Sequence, residues 1–346
     1  MLILQPLAIA SYWGHVSCVE CLLRHGADVH GDQDCALRCA AAEGHDLVVD
    51  LLLRAGADVH ARTGAALIEA TNQGHVRTVK RLLQAGADVI ALDQFAIRHA
   101  AAHPSVEVLR CLLDALGDAR VYGEALFCAI HSNLPDNVQL LLDRGTDPNL
   151  NRGQPLTFAV TSVFASSAHL VAVVDMLIKA GADVHAEDDG ALLNAIADGT
   201  AASVQRLLHH GASLQAVLND PRGAISAMAA RGDVPMIEVL LDAGMMVDSA
   251  SARTILEVAA SHSRIGVIDL LEIRGASAVS INSARLMDAA RQGNLCQVKA
   301  SLKRELDPLV LHGEALRMAV DFWHEDVVAA LLEHGQRVGP APPELD

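Results

Sequence analysis

Two cysteine pairs near the start of the chain, Cys18-x2-Cys21 and Cys35-x3-Cys39, have the spacing with which thiolates converge on a tetrahedral zinc ion. Seventeen histidines add imidazoles that could ligate a metal or carry a proton. Comparing positions along the chain weakens both readings. Cys18 and Cys21 share a register with Val48 and Leu51, which are core positions, and a buried cysteine there acts as a small hydrophobe. Cys35 and Cys39 align with Ala65 and Glu69, so no ligand type recurs. His15, His45 and His75 each follow a glycine, while His30, His60 and His185 share a second recurrent position. A residue copied at fixed period does a structural job in each copy, here hydrogen bonding of turn backbone groups. Catalysis needs one constellation of different groups around a single reacting atom. The chain carries no nucleophile elbow, phosphate loop or paired-histidine metal motif. The expectation is a protein that is not an enzyme, with no catalytic residue, cofactor or metal; a zinc protein built on the first cysteines is the competing class.

The elements that position these residues are repeats. Gly56-Ala57-Asp58-Val59 recurs as Gly26-Ala27-Asp28-Val29 and Gly86-Ala87-Asp88-Val89, with related versions from Gly145, Gly181, Gly211 and Gly275. A second anchor is an apolar residue, in most units with Ala three later. It falls at Leu7, Leu37, Leu67, Ile97, Leu126, Leu156, Leu192, Ile225, Leu256, Leu286 and Leu316, a mean period of about 31 residues. Each unit reads as two short helices. In the second unit Ala36 to Glu43 is one amphipathic run, Gly44-His45 breaks it, and Asp46 to Ala55 is another. Leu47, Val48, Leu51 and Leu52 are placed on its apolar face. Gly56 follows the last turn, where a left-handed residue commonly ends a helix. Helices this short are marginal alone, so each pair must bury its apolar face against the next pair.

The run from Gly44 to Val59 closely resembles the second-helix and turn signature of the ankyrin repeat family, and the similarity extends over nearly the whole chain. The resemblance implies an all-α, ankyrin-type α-solenoid of about eleven stacked helix-turn-helix repeats, elongated and curved. The array spans 1–338 and is followed by a Pro-rich acidic tail at 339–346, expected to be disordered. Two departures stand out. The family's Thr-Pro-Leu-His opening is degraded to forms such as Cys35-Ala36-Leu37-Arg38. The short spacing implies trimmed β-hairpin fingers. Insertions near Ser162–Ala168 and Asn219–Gly223 break the period, and Leu2-Ile3-Leu4 is read either as an apolar lid or as the cut edge of a longer array.

Composition sets the class of partner. Lys and Arg total 26 against 42 Asp and Glu, a net charge of −16 that repels phosphate backbones and favours a basic partner over nucleic acid. Seven cysteines, an odd and low number, suit a reducing compartment, the cytoplasm with the nucleus also open. The uncharged run Leu156 to Val174 is long enough to ask about a membrane span, but polar residues interrupt it and no basic flank orients it. No membrane contact and no signal peptide are expected.

In the resembled family, first-helix ends and finger tips line the concave binding side. Mapped onto this chain, the helix ends supply Tyr12, Trp13, Glu43, Gln73, His103, His131, Asp198, Arg231, His262, Arg291, Gln292, Asp321 and Phe322. The tips supply Asp32, Asp34, Arg62, Asp93, Tyr122, Arg152, Asp188 and Asp189. Tyr12 and Trp13, like Phe322 and Trp323, could equally cap exposed core ends. The function these positions imply is a monomeric, non-catalytic protein-interaction scaffold for a protein or peptide. A substrate-recruiting adaptor of a larger complex such as a ubiquitin ligase, and a membrane-tethered scaffold, are the other readings.

Overall fold

The computed structural model describes residues 6–116, 122–161, 167–219, 223–304, 306 and 313–338, the side chains of 91–94, 167–168 and 336–338 excepted. Among the described residues all regular structure is helical. The chain divides into two compact units, Met1–Asp183 and Val184–Asp346.

The first unit holds six helical hairpins: Pro6–Tyr12 with Val16–Arg24, Gly31–Ala42 with Asp46–Arg54, and Ala61–Asn72 with Val76–Gln84 come first. Ala91–Ala102 with Val106–Leu116, Gly123–His131 with Pro135–Asp143, and Leu150–Thr161 with Ser167–Lys179 complete it. The second unit holds five: Ala186–Asp198 with Ala201–His209, Ala224–Arg231 with Val234–Asp242, Ala250–Ser261 with Ile265–Ile273, Ala278–Arg291 with Leu295–Ser301, and Ala315–Asp321 with Glu325–Val338. Within each unit, first helices pack on first helices and second helices on second helices. Most anchors and the alanine three on lie at the centre of this packing; Leu37 and Ala40 are 1% and 0% exposed, while the last anchor, Leu316, is half-buried. Alanine at that position lets backbones approach closely, which is how a core with few aromatics closes.

The recurrent Gly-Ala-Asp-Val is a two-part stop. Gly56 N–H donates to Leu53 O at 3.1 Å and Ala57 N–H to Leu52 O at 3.0 Å, a left-handed closure of the helix. Asp58 Oδ1 then accepts from His60 N–H at 2.9 Å, and Asp28, Asp88 and Asp147 repeat this turn.

At the positions of the trimmed fingers expected from the resemblance, the chain makes left-handed turns. Asp32, Gln33 and Asp34, at the start of Gly31–Ala42, have φ of 51°, 55° and 56°. Arg62-Thr63-Gly64, Asn151-Arg152-Gly153 and Glu187-Asp188-Asp189 do the same. Left-handed geometry costs a non-glycine residue roughly 1–2 kcal/mol. Glycine lowers that cost in two of the four turns. In the other two, an aspartate offsets it with hydrogen bonds.

Several sequence expectations change. The buried face of Asp46–Arg54 is Val48, Val49 and Leu52; Leu47 is 57% exposed and Leu51 half-buried. Cys18 and Cys21 are exposed rather than core, because among the described residues Val16–Arg24 has a second-helix neighbour, Asp46–Arg54, on one side only. The span Leu156 to Val174 is shared between two helices, and among the described residues no helix is long and apolar enough to cross a membrane. The longer linker after Gly211 forms an extra short helix, Leu214–Leu218, seated by the fully buried Val217. The expectations for Leu2-Ile3-Leu4, for the centre of the Ser162–Ala168 insertion and for the acidic tail fall outside the described residues.

Candidate binding surface

The surface is held in place by the recurrent histidines. His45 Nε2 donates to the Tyr12 carbonyl at 3.0 Å, His75 to that of Ala42 at 3.0 Å and His324 to that of Arg291 at 2.9 Å. Each bond runs from one hairpin to the last residue of the preceding first helix, whose carbonyl would otherwise lack a partner. Where histidine is missing, other donors serve. Asn137 Nδ2 donates to Ala101 O and His103 O, Arg264 Nε to Ala230 O, and the Arg231 guanidinium to Ile196 O and Ala197 O. A left-handed glycine on the preceding hairpin leaves room for each ring, Gly14 for His45, Gly44 for His75 and Gly293 for His324; a Cβ on Gly44 would lie 2.5 Å from His75 Nδ1. The histidines at the other recurrent position act differently: His30 and His185 Nδ1 lie 3.2 and 3.1 Å from the carboxylates of Asp34 and Asp189.

Most of the sites read from the sequence are open to solvent. Tyr12 and Trp13 are 43% and 63% exposed, packed edge to face on each other. Asp32, Glu43, Arg62, Gln73, His131, Arg152, Asp188, Asp198, His262, Gln292, Asp321 and Phe322 are also exposed. Arg291 is half-buried, with its guanidinium 4.8 Å above the Phe322 ring. Five residues have a structural position instead. Tyr122 is 2% exposed and belongs to the core. Asp34 and Asp189 are buried, and each accepts a backbone N–H from the next hairpin at 2.9 Å, from Asp58 and Ser213 respectively. His103 is half-buried, its Nδ1 accepting from Ser105 N–H, and Arg231, although exposed, is spent on the carbonyls named above. The side chain of Asp93 is outside the described residues.

Sequence reasoning missed an aromatic cluster on the first-helix face of the first unit. Phe127 and Phe158, from adjacent first helices, meet edge to face at 5.9 Å between ring centroids. His131 lies nearly parallel to Phe158 at 6.0 Å, and Phe95 stacks on His99 at 4.0 Å. Burial lowers the pKa of His99, helped by Arg98, and so favours its neutral ring. The signal was in the composition: of five phenylalanines in the chain, three sit on three successive first helices.

Cys35 and Cys39 do approach, with sulfurs 3.8 Å apart one helical turn along. Burial and the neighbouring Cys35 thiol push Cys39 up to about 11, which favours a neutral thiol over a metal-binding thiolate. Among the described residues no group of three or more His, Cys, Asp or Glu side chains is placed to hold a metal ion. All seven cysteines are free.

Residues 4–63 and 66–152 match the family model for ankyrin repeats in three copies. The ankyrin repeat domain of human ASB11 is similar in structure, with a TM-score of 0.50 and 24% identity over 60% of this chain and 99% of that one. The ankyrin repeat domain of Bcl-3, a unique member of the IkappaB protein family, gives 0.48 and 23% over 59% of this chain and 98% of its own. An ankyrin repeat domain from Acinetobacter baumannii AYE gives 0.44 and 25% over 51% and 98%. A comparison with curated proteins gives no match. The fold is that of an ankyrin-repeat solenoid, and residues 4–63 and 66–152 are similar in sequence to ankyrin repeats. Such domains are in general protein–protein interaction scaffolds.

Proposed function

We propose that this chain is a non-catalytic scaffold whose first-helix faces receive a protein or peptide, with a Lys- or Arg-bearing partner favoured by the charge of −16. One observation carries the reading. On a frame in which glycine, histidine and aspartate recur with the same bonds, the exposed helix-end positions differ from hairpin to hairpin: Trp13, Glu43, Gln73 and His131 in the first unit. A conserved set of bonds fixes the spacing, and what it spaces is a row of unlike, solvent-facing groups.

The test is selection of ligands from a displayed random peptide library on the purified protein. Binding of the selected peptides is then compared with a variant carrying Trp13→Ala, Glu43→Ala and Gln73→Ala. The expected outcome is peptides rich in Lys and Arg whose affinity falls by about tenfold or more in the variant, as for removal of an interface hot spot. Peptides that bind the variant equally well would overturn the assignment of the surface.

A further inference from the structure

We propose that the cleft between helices Gly123–His131 and Leu150–Thr161 is a subsite for an arginine side chain of the partner polypeptide; this rests on the interaction reading above and narrows it to one kind of residue. The cleft encloses about 400 Å³, within the range of ligand-binding clefts, and is lined by Phe127, Phe158, Glu124, Asn151 and Gln154.

The two phenylalanines do not serve the core. At this level the core is Leu126, Ala129, Leu156 and Ala159, all 0–2% exposed, whereas Phe158 is 37% exposed. Phe127 meets it edge to face and His131 lies against it, and together they cover only part of the ring. In a chain with 3% aromatic residues, an exposed ring and a half-buried one converging on one cleft form an aromatic site with apolar surface to spare.

Charge selects the occupant. Glu124, open to solvent, brings the single formal charge of the lining. An arginine satisfies rings and carboxylate together. Its flat, weakly hydrated guanidinium stacks on a phenylalanine face while its N–H groups donate to the carboxylate, and its methylene stem covers the second ring. A leucine would use the rings but desolvate Glu124 without a donor. The molecule builds the same pairing for itself where Arg291 lies over Phe322.

The experiment labels the full-length protein with 4-fluorophenylalanine, which reports on five sites, and assigns the fluorine signals with Phe127→Leu and Phe158→Leu. N-acetyl-arginine amide and N-acetyl-leucine amide are titrated in turn. Expected are saturable shifts at Phe127 and Phe158 with the arginine probe, much smaller shifts with the leucine probe, and an unmoved Phe322. Glu124→Gln, an isosteric change at an exposed position, should weaken the arginine probe by about tenfold, the scale of one charge-assisted hydrogen bond. Equal saturation by the leucine probe, indifference to Glu124→Gln, or no shift with either probe overturns the subsite. If the selected peptides still bind and still depend on Trp13, Glu43 and Gln73, only the subsite has failed; if both results are negative, the interaction reading fails with it.

Discussion

Gly44 and Gly56 are both left-handed, at φ of +72° and +95°, yet they do different work. Nothing lies within 4 Å of a Cβ added to Gly56, so Gly56→Ala should cost only the backbone term, roughly 1–2 kcal/mol. Gly44→Ala adds a collision with the His75 ring and displaces its bond to Ala42, so urea unfolding should show a larger loss, by about 0.5–1.5 kcal/mol or more. Asp34→Ala should cost about 1–3 kcal/mol by leaving the Asp58 N–H unpaired, while the exposed Asp32→Ala stays within about 0.5 kcal/mol. Thiol chemistry gives a separate check. At pH 8 the Cys39 thiol is far below its pKa of about 11, so iodoacetamide followed by mass spectrometry should find it spared while the exposed Cys18, Cys21 and Cys296 react; raising the pH towards 11 should bring Cys39 in. The Gly-His pairs were legible as turn-bonding residues because they recur. The burial of Asp34, Asp189 and Tyr122 was not, because polar side chains beside a turn read as surface until the next hairpin is in place.

For the helices, the period of the apolar residues was sufficient, and the pairs expected from Gly44-His45 and Gly56 are the pairs observed. The rotation of each helix was less legible: Val49 rather than Leu47 faces inward, a difference of a fraction of a turn that only packing decides. The left-handed openings were also hidden, since Asp32-Gln33-Asp34 contains no glycine to announce them. Leu52→Ala, at a fully buried seam position, should cost about 2–5 kcal/mol. Asp46 takes part in a charged contact: Arg81, from the next second helix, approaches it at 3.5 Å and also pairs with Asp50. Because these groups are partly exposed, Asp46→Ala should still cost no more than about 1 kcal/mol, and raising the salt concentration should shrink even that difference.

At the scale of the molecule, a charge of −16 should accelerate encounter with a cationic partner. Association rates for the selected peptides should therefore fall steeply with ionic strength while dissociation rates change little. The unit Met1–Asp183 has six hairpins and its own buried seams, so residues 1–183 expressed alone should remain helical and unfold in one cooperative transition. A non-cooperative melt would show that the unit depends on the rest of the chain. The hairpin order was legible from the repeated anchors, but the aromatic cleft was not. Phe127 and Phe158 stand one and two residues after their anchors, and nothing in a linear reading says that these unequal offsets converge.

The histidine bonds all point the same way, each from one hairpin to the carbonyl of its predecessor, and each spans 33 residues. A genetic deletion of residues 45–74 would therefore join Gly44 directly to His75 and deliver that ring to the Tyr12 carbonyl in place of His45. Recombination between copies could lengthen or shorten such a protein by whole modules while every latch finds a catch, leaving selection free to rewrite the faces between them.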